Sequence, residues 1–359
     1  MKRLFILLIA YFATLSMSGQ DIKYLEASEL NIIGKIFNDS PNPYHRVDTC
    51  IYKGWTEWQN YQVRCSAGMA VVFRTNSSTV KVKTDYAGFY RGQTTNILSH
   101  KGYDLYIRKD GSWLYAGSGV ETYGKSGSTV TIVEGMDNTM KECLMYFPIY
   151  SEVNNIMIGV DEEASIEPID SPFRHRIALY GSSYSQGICS SRAGMNYPAM
   201  FTRKTGIQVV SLAMSGQCKM QDAATEVLVN APDIDAFLFD TFSNPHAPEI
   251  EERLFPFIEK IQAAHPGKPL IFQQTIYREY RNFNKVKDER EKKKMETAER
   301  LMKEACRKYK DVYFIVPDVS TPDHEAQVDG VHPSDHGYQL WEQSIERKVL
   351  RILRKYGIR

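Results

Sequence analysis

The sequence lacks several features that would assign it to common classes of protein. It carries 44 Lys and Arg residues against 43 Asp and Glu, so no basic surface for nucleic acid is indicated. Its six cysteines include no C-x-x-C pair of the kind that binds zinc. After the N-terminus, no apolar run approaches the roughly 20 residues that span a bilayer. There is no internal repeat and no low-complexity tract. These absences leave a globular protein, and 359 residues are enough for two domains.

The first residues have the pattern of a secretory signal peptide. Lys2 and Arg3 precede an apolar stretch, residues 4–12, and small residues follow up to Gly19. Cleavage near Gly19 would leave 42 basic against 43 acidic residues, which is close to neutral. No lipidation site follows the apolar stretch, since the first cysteine is Cys50. We predict a signal peptide over residues 1–19 and an exported protein, periplasmic or extracellular, with no membrane span.

The cysteines could form disulfides in an exported chain. They are sparse, and their spacing leaves the pairing open. We consider two candidate pairs, Cys50 with Cys65 and Cys189 with Cys218.

Residues 20–168 favour β-strands. Apolar and polar residues alternate over 79–84 and 128–133, as they do in half-buried strands. Asp110-Gly111 separates two apolar runs and predicts a tight hairpin. Short strands between Gly, Asn and Ser turns predict a β-sandwich resembling a jelly roll.

Residues 169–359 show a different pattern. An acidic stretch with two prolines, residues 161–172, indicates the domain boundary. Beyond it, apolar runs alternate with helical stretches, which predicts an α/β domain with a parallel sheet. The runs are RIALYG, IQVVSLA, AFLFDTF, LIFQQTI and VYFIVPD. Apolar positions recur at helical spacing over 295–309 and 341–352, which predicts two further helices that pack on one face.

Polar motifs follow several of the apolar runs. They are YGSSYSQG at 180–187, SGQ at 215–217, SNP at 243–245 and DGVHPSDHGY at 329–338. Because ligands of open α/β sheets bind at the carboxyl ends of the strands, we expect these four loops to converge at one edge of the sheet. A serine at a helix N-terminus, with a histidine as base and an aspartate three residues before that histidine, is a combination suited to nucleophilic catalysis.

The four motifs resemble, in order and separation, the four sequence blocks of the SGNH (GDSL-type) hydrolases, over residues 174–356. GYDLY at 102–106 resembles the signature of the β-rich domain that precedes an exported subgroup of these esterases in bacteria of the Bacteroides type. The resemblance implies a flavodoxin-like three-layer fold for the second domain. It also implies Ser183 as the nucleophile, with His332 as base and Asp329 as the residue that orients it. Ser182 stands where the family usually has aspartate.

The resemblance further implies an oxyanion hole formed by the N–H groups of Ser183 and Gly216 and by the Asn244 side chain. Each of these residues also has a simpler interpretation. Ser183 alone would be read as a helix N-cap, Gly216 as a turn glycine and Asn244 as the start of an Asn-Pro turn. Ser182 and Ser185 are interpreted as turn and capping residues.

Other residues compete for roles in the site or could contact a substrate. His336 lies beside Asp335 but should begin the last helix, and Ser190 and Ser191 should lie inside the helix after Ser183. The possible substrate contacts are His246, His324, Arg192 and Arg278, with Trp55, Trp58 and Trp113 as a possible sugar-stacking surface or as ordinary core residues.

Together with the resemblance, these observations predict an exported serine esterase that acts through an acyl-enzyme intermediate. The substrate class is what the resemblance implies: it extends to carbohydrate esterases with a preceding β-sandwich, so we expect removal of acetyl or another short acyl group from a carbohydrate. The expected partner is a small-molecule or glycan ester, and neither a cofactor nor a metal is required. Two alternatives remain open: a lipase-like or lysophospholipase activity, and a non-catalytic glycan-binding protein with a degenerate site. The sequence does not indicate the oligomeric state.

Overall fold

The computed structural model describes residues 21–122 and 127–359. The predicted signal peptide lies outside these ranges. Within them, no helix combines the length and the apolar character needed to cross a bilayer.

The described residues form two groups of strands and a set of helices. The strands are β1 (Ile22–Glu26), β2 (Asn31–Ile33), β3 (Ala70–Thr75), β4 (Val80–Phe89), β5 (Tyr103–Lys109), β6 (Ser112–Gly119), β7 (Val130–Val133), β8 (Lys141–Tyr146), β9 (Ser151–Asp161), β10 (Ile166–Pro168), β11 (Arg176–Gly181), β12 (Gln208–Ser211), β13 (Ala236–Asp240), β14 (Leu270–Gln273) and β15 (Val312–Ile315). The α-helices are α1 (Glu57–Arg64), α2 (Ile97–Lys101), α3 (Ser183–Gln186), α4 (Tyr197–Thr205), α5 (Asp222–Val229), α6 (Ala247–Ala264), α7 (Lys285–Lys308) and α8 (Asp335–Arg354). Single 3₁₀ turns occupy Ala27–Glu29, Ala193–Met195 and Glu279–Arg281.

Strands β1 to β10 form two antiparallel sheets. One has the order β1-β9-β4-β7, and the other has the order β10-β3-β8-β5-β6 with β2 beside β3. Alternate residues of both sheets are buried in a common core, among them Val82 and Ile158 from the first sheet and Val71 and Leu105 from the second. The predicted antiparallel β fold is confirmed, and the period-two alternation is its cause.

The hairpin predicted at Asp110-Gly111 joins β5 to β6. Asp110 has φ 51° and Gly111 has φ 79°, so both turn residues are left-handed. A two-residue turn with this backbone matches the twist of antiparallel strands, and Asp-Gly adopts it readily. This prediction is confirmed.

Strands β11 to β15 form a parallel sheet in the order β12-β11-β13-β14-β15. This is the flavodoxin-like order, in which the chain reverses direction across the sheet between β11 and β13. Residues of α5, α6 and α7 share one apolar core with one face of the sheet, whereas α4 and α8 share another with the opposite face. The predicted three-layer α/β fold is confirmed.

Helices α7 and α8 follow the predicted apolar spacing. Ala298 and Met302 of α7 are fully buried, as are Trp341, Ile345 and Val349 of α8. Most charged residues of these helices lie on the outer face, whereas Glu291, Lys294 and Glu342 are buried.

The two halves of the chain share part of a core. Ile36, Val47 and Val63, which precede the parallel sheet by more than a hundred residues, belong to the same apolar cluster as β11 to β14. Strand β10 ends at Pro168 and β11 begins at Arg176, on either side of the predicted boundary at 168/169. The sequence did not predict that the N-terminal half would contribute to the core beneath the parallel sheet.

Candidate active site

The first polar motif forms a tight turn between β11 and α3. Ser182 is the N-cap residue, and its Oγ accepts a hydrogen bond from the Tyr184 N–H at 3.2 Å. Ser183 is therefore the first helical residue and not the cap. The helix ends at Gly187, which has φ 101°, and a Cβ there would lie 2.8 Å from Asn196. Because α3 is a single turn, its dipole contributes less to Ser183 than the sequence suggested.

The prediction that Ser190 and Ser191 lie inside this helix is wrong, because the left-handed Gly187 ends it. Both serines nevertheless have structural roles. The Ser190 Oγ donates to the Gly187 carbonyl at 2.8 Å, and the Ser191 N–H donates to Asp335 at 2.7 Å. The second bond joins this loop to the first turn of α8.

The structure brings Ser183, His332 and Asp329 into one hydrogen-bonded chain. The His332 Nε2 lies 3.1 Å from the Ser183 Oγ, and the His332 Nδ1 lies 2.8 Å from the Asp329 Oδ2. Ser183 is 6% exposed, whereas the side chains of His332 and Asp329 are 20% and 25% exposed. With the ring proton on Nδ1, Nε2 is free to accept the serine proton. The serine is thus enclosed while the base stays open to a substrate.

Asp329 is held by the backbone of its own loop. Its Oδ1 accepts from the N–H groups of Val331 and His332 at 3.0 and 2.8 Å. Partial burial acts to raise the pKa of this carboxyl, but the hydrogen bonds from His332 and Val331 and the attraction to the His332 ring lower it from 3.8 to about 2. Asp329 is therefore ionised at neutral pH and holds the ring with a charged acceptor.

The three candidate oxyanion donors lie on loops that follow β11, β12 and β13. Hydrogen bonds join these loops: Met214 N–H donates to the Gly181 carbonyl at 2.8 Å, and Cys218 N–H donates to the Asn244 Oδ1 at 3.1 Å. The second contact occupies the Asn244 oxygen, so its Nδ2 is left to donate elsewhere. Gly216 has φ 71°, and apart from its two chain neighbours no residue of the described ranges lies within 4 Å of the position a Cβ would take. A side chain at this position would therefore be strained by the backbone conformation and not by crowding.

Asp240, which the sequence did not mark as a candidate, joins the turn that carries Ser182 and Ser183 to the loop after β13. It is fully buried at the end of β13. It accepts from the Ser182 N–H at 3.1 Å, the Ser182 Oγ at 2.6 Å and the Ser185 Oγ at 2.9 Å, and its second oxygen accepts from the Ser243 Oγ. Burial raises the pKa of this carboxyl, and the serine hydrogen bonds oppose the increase. A carboxylate is thus present beside Ser182, although Ser182 itself replaces the family's aspartate.

Arg278 holds the loop that carries Asn244 and does not project into solvent. Its guanidinium donates to the Tyr184 hydroxyl at 2.7 Å and to the Ser243 carbonyl, and it pairs with the buried Glu291 at 3.3 Å. The hypothesis that Arg278 contacts substrate is therefore not favoured. The only sequence signal for its role was a basic residue shortly after the run LIFQQTI.

The candidate disulfides are not present, and all six cysteines are free thiols. The Cys65 Sγ lies 3.5 Å from the Tyr61 carbonyl inside the core, whereas Cys50 is exposed on a loop. The Cys218 Sγ lies 3.5 Å from the Asp240 carbonyl, and the Cys189 Sγ contacts Thr94 at 3.2 Å. Neither candidate pair forms, because the two cysteines of each pair face different environments.

Cys189 is nevertheless close to the histidine and the aspartate. Ligand atoms of Cys189, Asp329 and His332 lie within 4.8 Å of one another, and this is the one such group of three or more found in the described ranges. Burial raises the pKa of the Cys189 thiol to about 11, with the Thr94 hydrogen bond opposing and Asp329 adding to the shift. Within this group, His332 and Asp329 bind each other through Nδ1 and Oδ2.

The other candidates have mostly structural environments. His336 is exposed in the first turn of α8, as predicted, and His324 pairs with Glu279 at 2.5 Å. Arg192 lies 3.6 Å from Asp104, the aspartate of GYDLY, which also accepts from the Gly194 N–H at 2.9 Å. That motif therefore connects β5 to the loop after Ser183.

Two of the three candidate tryptophans pack against apolar side chains, and the third, Trp58, is connected to the loop after β12 through Tyr90 and Tyr150. Trp55 packs against the core beneath the parallel sheet, and Trp113 lies beside Phe173. Trp58 stacks on Tyr61 and meets the exposed Tyr90, whose ring lies 6.2 Å from that of Tyr150. The Tyr150 hydroxyl is hydrogen-bonded to Ser215.

A doubly wound sheet that presents a serine, a histidine and an aspartate in this geometry has an arrangement suited to nucleophilic catalysis. The family model for the GDSL-like lipase/acylhydrolase family matches residues 174–351, and the model for the N-terminus of SGNH-hydrolase-type esterases matches residues 22–166. The chain belongs to the GDSL-like lipase/acylhydrolase family, whose members hydrolyse esters, and it carries the GxDLY domain at its N-terminal side.

Solved structures agree with this assignment. A GDSL-like lipase from Bacteroides ovatus is 36% identical with a TM-score of 0.89, over 93% of this chain and 98% of that chain. A salicylyl-acyltransferase from a tetracycline biosynthetic pathway is 15% identical with a TM-score of 0.68, over 94% and 99%. A family two carbohydrate esterase from Cellvibrio japonicus is 9% identical with a TM-score of 0.60, over 93% and 99%. The last two show likeness of fold alone. A comparison with curated protein sequences gave no match.

Proposed function

We propose that the protein is an exported serine esterase that removes acetyl or another short acyl group from a carbohydrate. The observation that carries the catalytic part of the proposal is the hydrogen-bonded chain from the Ser183 Oγ through His332 to Asp329. The export part rests on the sequence of residues 1–19 and places the protein in the periplasm or outside the cell.

In this mechanism the Ser183 Oγ attacks the ester carbonyl carbon while the His332 Nε2 takes its proton. The tetrahedral oxyanion accepts hydrogen bonds from the Ser183 and Gly216 N–H groups and from the Asn244 amide. When the intermediate collapses, the leaving alcohol takes the proton from His332 and an acyl-serine remains. A water molecule then gives a proton to His332, attacks the acyl carbon and releases the acid, and Ser183 recovers its proton. Asp329 stabilises the charged ring in both steps.

The substrate class is supported by two lines of argument. The described fold is shared with family two carbohydrate esterases, as well as with an acyltransferase. Trp58 and Tyr90 also form an aromatic group next to the loop after β12, and aromatic faces suit sugar rings.

The experiment is an ester panel with the purified protein. We expect turnover of p-nitrophenyl acetate to exceed that of longer p-nitrophenyl esters, and release of acetate from at least one O-acetylated glycan among xylan, mannan, sialate and peptidoglycan fragments. Ser183→Ala should lower kcat by several orders of magnitude. A preference for long acyl chains would favour a lipase, and no release by the folded protein would favour a binding protein. Full turnover by the Ser183→Ala variant would remove Ser183 as the nucleophile.

A further inference from the structure

Gln62, in the N-terminal half of the chain, binds the backbone of the loop that carries Gly216. It lies on α1 and is fully buried. Its Oε1 accepts from the Ser215 N–H at 2.6 Å, and its Nε2 donates to the Ser215 carbonyl at 3.0 Å. One side-chain amide thus binds both backbone groups of Ser215.

The carbonyl contact controls the direction of the next N–H. The Ser215 C=O and the Gly216 N–H belong to the same planar trans peptide, so they point in opposite directions. While Gln62 holds the carbonyl, the Gly216 N–H must point away from α1. Because Gly216 has φ 71°, a region that suits glycine, the backbone itself gives this peptide little resistance to rotation. The hydrogen bond from Gln62 supplies the restraint that the glycine lacks.

Other buried groups hold Gln62 and Ser215 in the positions that allow these hydrogen bonds. Arg46 is fully buried, and its guanidinium donates to the backbone carbonyls of Gln62 and, at 2.9 Å, of Ala213. The Gln186 Oε1 is a second acceptor for the Ser215 N–H at 2.8 Å, and the buried Tyr150 hydroxyl contacts the Ser215 hydroxyl. The Ser215 peptide is therefore clamped between α1 and the turn that follows Ser183.

We propose that Gln62 is a positioning residue of the proposed esterase, through which the N-terminal half orients the Gly216 N–H toward the transition-state oxyanion. This inference rests on the proposed function. It makes the N-terminal half a part of the catalytic unit, because the donor to the Ser215 carbonyl comes from α1.

The test uses the full chain with Gln62→Met and Gln62→Glu. Methionine keeps the length and loses both hydrogen bonds, whereas glutamate keeps the acceptor for the Ser215 N–H and loses the donor to the carbonyl. Because losing one oxyanion donor costs about 10² to 10³ in kcat and misorienting it costs part of that, we expect kcat to fall about 10- to 100-fold with KM changed less than threefold. The affinity for a short alkylboronic acid, which forms a tetrahedral adduct with serine, should fall in step with kcat/KM.

The matched control is Gln59→Met on the same helix. Its side-chain amide contacts the Gln217 side chain at 3.1 Å and does not touch the backbone of Ser215. We expect its kcat to remain within threefold of wild type. Thermal unfolding of each variant identifies any loss of fold, and kinetics are compared well below the lowest midpoint.

Two results would overturn the inference: a kcat of either Gln62 variant within threefold of wild type, or a reduced kcat with unchanged boronic acid affinity. If the wild type releases no acyl group from any ester, the proposed function fails independently. The rate at which a fluorophosphonate labels Ser183 then tests Gln62 directly, because that reaction also needs the oriented donor. Equal labelling of wild type and both variants would refute the positioning role.

Discussion

Replacing Asp329 by asparagine tests how the site holds its histidine. The Oδ1 of Asp329 accepts from two backbone N–H groups, and the Oδ2 faces the His332 Nδ1 at 2.8 Å. An asparagine can keep its oxygen on the two N–H groups only if its NH₂ group faces Nδ1. The ring must then carry its proton on Nε2, where it cannot accept the Ser183 proton.

The size of the expected fall in kcat follows from the alternative orientation of the asparagine side chain. If the asparagine oxygen turned toward Nδ1, two backbone N–H groups would face an NH₂ donor and lose their acceptor. Each such loss costs about 1.5 to 3 kcal/mol, so the productive arrangement lies about 3 to 6 kcal/mol higher in free energy. This corresponds to a fall in kcat of about 10² to 10⁴-fold.

The assay is steady-state hydrolysis of p-nitrophenyl acetate by the wild type, Asp329→Asn and the control Asp323→Asn. Asp323 is an exposed residue of the same connection between β15 and α8, and its carboxylate contacts a backbone N–H outside the site. We expect the control to keep wild-type kcat. If Asp329→Asn retained more than a tenth of wild-type kcat while folded, the tautomer argument would be wrong.

The Asp329→Asn variant also tests the pKa of Asp329, through the pH dependence of the free energy of unfolding. Its folded pKa of about 2 lies below the ordinary 3.8, so its carboxylate stabilises the fold above about pH 4 and this contribution is lost as the pH falls toward 2. The side chain is a quarter exposed, so we expect a contribution of about 1 to 2 kcal/mol. Urea unfolding at about pH 5 and pH 2.5 should show the difference between wild type and Asp329→Asn shrinking at the lower pH. If the difference in unfolding free energy between the two proteins did not change with pH, the lowered pKa of Asp329 would be contradicted.

Two further predictions follow from the site and the cysteines. His332→Ala should lower kcat by several orders of magnitude, whereas His336→Ala, which changes an exposed residue in the first turn of α8, should stay near wild type; the reverse would exchange their roles. Titration with Ellman's reagent in denaturant without reductant should detect six thiols per chain, and a count of four or two would show that disulfides form.

The parts of the fold predicted from sequence are those encoded by near neighbours. The Asp110-Gly111 turn and the alternation along β4 depend on residues within one or two positions. The five runs of the parallel sheet were recognisable because strands buried on both faces are continuously apolar. The extent of α3 was overestimated because the left-handed Gly187 that ends it resembles any other glycine in the sequence.

The candidate site was predicted unevenly. Ser183, His332 and Asp329 were identified because their motifs resemble sequence blocks of the SGNH hydrolases, and the structure places them within hydrogen-bonding distance. Asp240 did not stand out, because an acidic residue after an apolar strand is common. Arg278 was considered only as a possible substrate contact, and its role in holding the loop was not predicted. The cysteine pairing was left open because spacing along the chain does not specify distance in space, and neither candidate pair forms.

The sequence alone determined the two kinds of sheet, the strand-to-helix turn that presents the serine and the identity of its candidate partners, because each depends on local pattern or on a motif. Tertiary structure decided which polar groups hold these residues in place. Gln62 and Ser215 are 153 positions apart, and nothing near Gln62 in the sequence marks it. Only the packing of α1 against the parallel sheet brings that amide to the Ser215 peptide. A buried backbone group needs a hydrogen-bond partner, and the tertiary fold determines which residue supplies it.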